Sequence, residues 1–242
     1  MAMRGYHQFA ISRPYRHVAV VFSLLVLPLL GFFTFSLVNH ISLVVTFSDL
    51  LLSMWRLSVA FIFAVIFAWL LVVVFVRGKT EHLSITFFDV AQSMPTFTIL
   101  PIGVHYFGQT NFTIILFLII TIIWPIVFTI ISALKQANRS WTDAVSMSRI
   151  SGLDYVRYYL LPITAPGIVT GAIIGLGNGW EALIATEIIL NTPHGLGSFF
   201  QGFANNTSMT VFGVLAFLLV IFALNKLLWI PLLEKSHQLV EQ

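Results

Sequence analysis

The chain has 242 residues, of which 58% are hydrophobic and only 9% charged, with a formal net charge of +3. So little charge cannot solvate the surface of a folded domain of this size, which excludes a water-soluble globular protein and indicates an integral membrane protein. The absence of cysteine excludes disulfide frameworks and thiolate metal sites.

The first 17 residues carry Arg4, Arg13 and Arg16 and form a basic tail. The apolar run from His17 to Val38 is long enough to cross about 30 Å of hydrocarbon as a helix. It lacks the shorter apolar core and small-residue cleavage site of a removable leader, so it reads as a retained anchor. Asn39 to Leu52 reads as a short loop, and a second apolar run, Leu57 to Val76, ends at the basic turn Arg77-Gly78-Lys79. The third run, Ile85 to Phe107, passes Asp89 and contains Pro95 and Pro101, which predict a kink or local unwinding. Phe112 to Leu134 is a fourth run, with Pro125 inside it. Beyond the polar island Ser140 to Pro166 come a fifth run, Ile168 to Leu190, a polar loop, Asn191 to Met209, and a sixth run, Val211 to Pro231. The pattern predicts an all-α polytopic protein with six spans.

Placing both termini in the cytoplasm puts Arg4, Arg13, Arg16, Arg77, Lys79, Lys135, Arg139, Arg149, Arg157 and Lys235 on the inner side, ten of the twelve basic residues. Arg56 is left at an outer edge, and Lys226 lies in the last turns of the sixth run, where its stem can snorkel inward. The island is then cytoplasmic and the Asn191 to Met209 loop external.

The island reads as two short helices. Ser140 stands three residues before Asp143 and Ser151 three before Asp154, the spacing of a capping box. Leu153, Val156 and Leu160 recur at helical spacing, and Pro162 with Pro166 predicts a break before the fifth span. On pattern alone, an interfacial segment lying on lipid headgroups fits equally well.

Asp143-Ala144-Val145, followed at a fixed interval by Leu161-Pro162, resembles the EAA cytoplasmic loop of ABC importer permeases. The run Leu161 to Ile189, the Gly195-Leu196-Gly197 motif, Ser93-Met94-Pro95 and Pro101 to Gly108 resemble the nitrate/sulfonate/taurine-type branch of that family, which often has an arginine opening a span where Arg56 stands. The resemblance implies a five-helix permease core at 56–233, a first span and external loop at 18–55, and cytoplasmic tails at 1–17 and 234–242. It further implies that residues 140–166 dock on a separate ATPase, with Asp143, Ala144, Met147, Arg149, Gly152, Leu153, Arg157 and Pro162 as the coupling residues. The implied partners are that ATPase, a second permease subunit of the same or a different sequence, an extracytoplasmic solute-binding protein and the lipid of the cell membrane. Nucleic acid is not among them.

The loop departs from the family pattern at Asp143 (usually glutamate), Val145 (usually alanine) and Arg149 (usually glycine). Arginine is disfavoured at the positive φ that such a turn needs, and Gly152, three residues later, is the alternative source of it. For Arg149 and Arg157 a plain inner-side anchoring role competes with ATPase contact. The chain has no GxxxxGK[ST] loop, so ATP and magnesium are expected on the partner ATPase, with no cofactor bound here and no catalytic or metal residue assigned.

Gly167, Gly171, Gly175 and Gly179 recur every four residues and make a smooth ridge on the fifth span, suited to ordinary close helix packing or to a sliding gate or subunit interface. Glu181 and Glu187 lie about 120° apart on that helix. Intramembrane charge is costly, so each is expected to face protein, water or an interface, as a pathway or structural carboxylate. A structural hydrogen bond to the external loop or a partner subunit is favoured for Glu187, since a bare carboxylate repels an anion. The resemblance implies transport of a small anion, nitrate, a sulfonate such as taurine, or bicarbonate. Two other readings remain: Asp89, Glu181 and Glu187 as a proton relay in an ion-coupled transporter, and a membrane subunit that only scaffolds partners.

Overall fold

The computed structural model describes residues 43–76, 81–136 and 150–207 continuously, with isolated positions elsewhere. Most of the first and sixth apolar runs, the Arg77-Gly78-Lys79 turn, Lys226 and the first half of the island, including Ser140, Asp143, Ala144 and Arg149, lie outside the described residues. Among the described residues every regular element is helical: α1 (Leu43–Phe75), α2 (Glu81–Ser93), α3 (Thr96–Phe107), α4 (Asn111–Lys135), α5 (Gly152–Tyr155), a π-helical turn π1 (Val156–Leu160), α6 (Leu161–Ile189) and α7 (Leu196–Gly202). Among the described residues three stretches are long and apolar enough to cross a membrane: Ser48–Phe75, Asn111–Lys135 and the continuous run Gly152–Ile189.

The centre of the fold is α4, packed most extensively against α6 and next against α1. Lipid tails are as apolar as leucine, so such helices gain from close packing rather than from hiding grease. The sequence supplies close packing on both flanks. On α1, Ala60, Ala64 and Ala68 form a fully buried stripe of small residues at helical spacing. On α6 the glycine ridge lies against α4: a Cβ at Gly167 would stand 2.6 Å from the Thr129 carbonyl oxygen, and one at Gly171 would stand 2.5 Å from the Ile126 Cα. The ridge therefore serves packing within the chain. Leu118, Ile122, Ile126 and Ile130 of α4 fill the space between the two smooth faces and are fully buried.

Three expectations change. The segment read as a loop, Asn39 to Leu52, is helical from Leu43 onward. Its polar residues had suggested a loop, but Asp49, Ser53 and Arg56 fall at i, i+4 and i+7, one buried polar face of α1. The break expected at Pro162 and Pro166 is absent: the helix runs unbroken from Gly152 to Ile189. The π turn just ahead of Pro162, in which the Leu161 amide reaches back to the Val156 carbonyl, changes the register where the proline lacks an N–H. Trp69 of α1 braces this point, its Nε1 donating to Thr164 Oγ1 at 3.2 Å, while that hydroxyl donates to the Leu160 carbonyl at 2.6 Å. Finally, Ser151 occupies the N-cap position of α5 without a side-chain capping bond. The chain enters the rod instead through Gly152, at φ +63°.

The third run is interrupted at Pro95, between α2 and α3, as its proline predicts, whereas Pro101 sits within α3. Thr110 caps α4, its hydroxyl accepting from the Thr113 amide at 3.3 Å.

Candidate functional site

Where α1, α4 and α6 meet near the Leu190 end of the rod, a charged cluster is sealed inside the protein. Glu187 is fully buried and Arg56 nearly so, with the Arg56 guanidinium donating through Nη1 to Glu187 Oε1 at 2.6 Å. Ser53 Oγ donates to the same oxygen at 2.7 Å, and the Gly197 amide donates to Oε2 at 2.8 Å. Arg56 also donates to Asn111 Oδ1, through Nε at 2.9 Å, and to the His194 carbonyl, through Nη1 at 3.1 Å. The Leu196 amide donates to Ser53 Oγ at 2.9 Å and the Gly195 amide to Asp49 Oδ1 at 3.2 Å, the latter oxygen also lying 3.2 Å from His194 Nδ1.

Each element contributes for a local reason. Helical spacing sets Asp49, Ser53 and Arg56 on one face of α1, and Asn111 is the first residue of α4. The segment after α6 can lie on the carboxylate only because it is glycine there. At Gly195, with φ +138°, a Cβ would stand 2.6 Å from the Glu187 carboxyl carbon. At Gly197 a Cβ would collide with the Glu187 Cβ and come within 2.8 Å of the Ile184 carbonyl oxygen. A buried ion pair is costly to desolvate and holds when further hydrogen bonds satisfy its remaining atoms, which the serine, the asparagine and the backbone amides do here. Chemically, the cluster clamps the segment Thr192 to Gly197, and with it α7, onto α1 and the end of α6. Among the described residues no group of three or more histidine, aspartate or glutamate side chains is placed to hold a metal ion.

The predicted site residues divide into separate places. Glu187 is the heart of the clamp and bonds the loop that follows it, while Glu181, on the same helix, is exposed. Gly167, Gly171, Gly175 and Gly179 are buried against neighbouring helices. At the far end of the rod Met147 and Leu153 are strongly exposed, at 83% and 86%, and Arg157 is exposed with its guanidinium 5.6 Å from the Tyr158 ring centre. Pro162 lies within the continuous rod, half-buried. The sequence pattern did not mark Asp49, Ser53, Asn111 and His194 as site residues, and it placed Arg56 only at an outer edge and as a family marker. The available signal was the i, i+4, i+7 polar stripe leading to the single arginine of an apolar run.

Long apolar helices joined by small-residue packing and an internal ion pair define a polytopic membrane protein with a built, rigid interior. Residues 60–230 match the family described as binding-protein-dependent transport system inner membrane component, and the chain belongs to that family. It is similar to the nitrate import permease protein NrtB of Leptolyngbya laminosa, 31% identical over 121 residues, covering 50% of this chain and 43% of the relative. The bicarbonate transport system permease protein CmpB of Synechococcus elongatus is 31% identical over 99 residues, 41% of this chain and 36% of the relative. The taurine transport system permease protein TauC of Escherichia coli is 30% identical over 113 residues, 47% and 41% respectively. The chain thus spans less than half the length of the curated relatives it matches. These relatives are transport permeases of the nitrate, sulfonate and taurine branch of ABC importers, the branch whose motifs the sequence carries.

Proposed function

We propose that this chain is the transmembrane subunit of an ATP-driven importer for a small polar solute of the kind named for its relatives: nitrate, bicarbonate or a sulfonate such as taurine. It has six spans with both termini cytoplasmic, pairs with a second permease subunit, and receives solute from an extracytoplasmic binding protein at the loop from Asn191 to Met209. A separate ATPase subunit, using ATP and magnesium, pushes on residues 140–166, where Asp143, Ala144 and Arg149 join Met147, Gly152, Leu153, Arg157 and Pro162.

The observation that carries this reading is the unbroken helix Gly152–Ile189, 38 residues and therefore about 57 Å long. Leu153 at its Gly152 end and Met147, five residues ahead of Gly152 in the chain, are exposed apolar side chains suited to docking a protein partner. Its other end is tied by Glu187 to α1 and the loop, and through Arg56 to Asn111 of α4. A broken segment would absorb a push locally. A rod braced by Trp69 at its π turn and clamped at its far end passes the displacement on as rigid-body motion, which is what alternating access requires.

The test is ATP-dependent uptake into vesicles carrying the permease with its ATPase. Asp143→Arg lowers uptake and solute-stimulated ATP hydrolysis at least tenfold while the chain still inserts in the membrane. Wild-type uptake by that variant would show the docking site to be misplaced. Uptake driven by an ion gradient without ATP would establish a secondary transporter instead, and normal uptake in the absence of this subunit would leave it a scaffold.

A further inference from the structure

The glycine ridge turns one face of α6 toward α4, and the opposite face is open. Ile174, Gly177, Asn178, Glu181 and Ile188 all lie on that outward strip and are exposed. Two of the five are polar, on a helix otherwise built for hydrocarbon. Glu181 stands eight residues before the end of α6, about 12 Å along the axis, and Asn178 one turn deeper. No side-chain hydrogen bond or ion pair holds either residue among the described residues. Lys135 and Arg157 stand at the opposite end of the spanning stretches, and Arg56, the basic residue at this end, is already occupied by Glu187. A carboxylate at this depth facing lipid is expensive, so the strip faces water or a polar partner.

A second feature adjoins it. Gly177 also edges a cavity of about 340 Å³ whose walls include Phe61, Trp180, Trp229 and Met54. Glu181 does not line this cavity, and the two features meet at Gly177; on the cavity side the ring faces favour a cationic nitrogen, and on the strip the carboxylate attracts one and repels a bare anion.

We infer that the Asn178–Glu181 strip lines the solute pathway, and that the solute carries a cationic nitrogen, as an aminosulfonate or another zwitterion does, rather than being a bare anion such as nitrate or bicarbonate. This rests on the permease reading and narrows its substrate class. Glu181 takes the ammonium group, Asn178 offers an amide to the anionic end, and Gly177 leaves room for the chain between them.

The chain has no cysteine, so Asn178→Cys or Ile174→Cys gives it a single thiol without other changes. The assembled transporter in membrane vesicles is treated with membrane-impermeant methanethiosulfonate reagents, one cationic and one anionic, and the labelling rate is read from the mass of this chain. Both positions label, and the cationic reagent gains about tenfold over the anionic one relative to a small free thiol, as expected for a unit charge about 6 Å away acting through water on opposite charges. Adding Glu181→Gln removes that gain, and Glu181→Asp retains it. Absence of labelling at both positions would mean that the strip faces lipid, and a rate ratio indifferent to Glu181→Gln would remove the charge from the pathway; either overturns the inference. Uptake in the same vesicles separates the two readings. ATP-driven nitrate or bicarbonate uptake that an aminosulfonate does not compete with overturns the inference and leaves the permease reading intact. A cation-preferring strip in vesicles with no ATP-driven uptake of any of these solutes overturns the permease reading itself.

Discussion

Glu181 and Glu187 are the same residue type six positions apart on one helix, and the fold treats them in opposite ways. Glu187 has no exposed surface and five polar atoms to answer its two oxygens and backbone carbonyl: Arg56 Nη1, Ser53 Oγ, the amides of Gly197 and Thr192, and the Thr192 hydroxyl. Glu181 is exposed and has no side-chain partner among the described residues. The difference is one of helix phase. A rotation of about 120° separates a residue that faces the glycine-packed interior from one on the outward strip. One carboxylate is structural because its surroundings complete it, and the other is left available for something that arrives from outside the chain.

The comparison breaks most readily at the clamp. Arg56→Met strands Glu187 without its cation, and Glu187→Gln strands Arg56; each costs about 3–5 kcal/mol, the usual consequence of leaving one buried charge alone. Thermal unfolding of the detergent-solubilised protein shows the loss. The double variant Arg56→Met with Glu187→Leu is less damaging than the sum of the singles, because neither charge is then left behind. Singles that each cost under about 1 kcal/mol would place the pair in contact with water, contrary to its burial.

The two faces of α6 can also be compared through their glycines. Gly171→Leu drives a side chain into Ile126 and Thr129 of α4 and costs about 1–3 kcal/mol or more, since backbone stands in the way. Gly177→Leu, on the outward strip with nothing within 4 Å of its Cβ position, leaves the unfolding midpoint unchanged or slightly raised. Equal losses at the two positions would mean that both faces are packed within the chain. A smaller effect belongs to the brace at the π turn: Trp69→Phe removes one interhelical hydrogen bond and lowers stability by about 0.6 kcal/mol, with a larger relative fall in the coupling of ATP hydrolysis to uptake.

Much of the helical layout was legible because apolar runs long enough to span a bilayer leave few alternatives. The fourth run, Phe112 to Leu134, lies within α4, and the break at Pro95 follows from a missing N–H and the constraint on the residue before it. The glycine ridge was visible as a four-residue period, although which helix it would meet was not. The start of α1 was misread because Ser48 and Asp49 look like loop residues until a partner across the fold gives Asp49 a reason to be buried. That partner is distant in sequence: Glu187 lies 131 residues beyond Arg56, and Gly195 lies 146 beyond Asp49. Local pattern reports periodicity and capping, but it cannot pair two polar stripes separated by most of the chain. The proline error has a similar origin. A lost hydrogen bond at Pro162 predicts a break, and only the packing of Trp69 and Thr164 around a π turn makes a continuous helix the better solution.

The smallest expected effect bears most directly on the difference between the carboxylates. Glutamine matches glutamate in shape, so Glu181→Gln and Glu187→Gln change charge and hydrogen-bonding capacity without altering volume. At position 187 the substitution replaces an acceptor that the guanidinium, serine and glycine amide all use, and the clamp loosens. At position 181 there is no donor among the described residues to disappoint, so the unfolding midpoint of the solubilised chain stays where it was. A midpoint shift comparable to that of Glu187→Gln would reveal a partner for Glu181 inside the folded chain, and the outward strip would then be a second structural site. An unchanged midpoint together with altered uptake assigns the charge to solute rather than to the fold, because a residue that stabilises nothing in the isolated chain can affect transport only through what it meets in the assembled pathway.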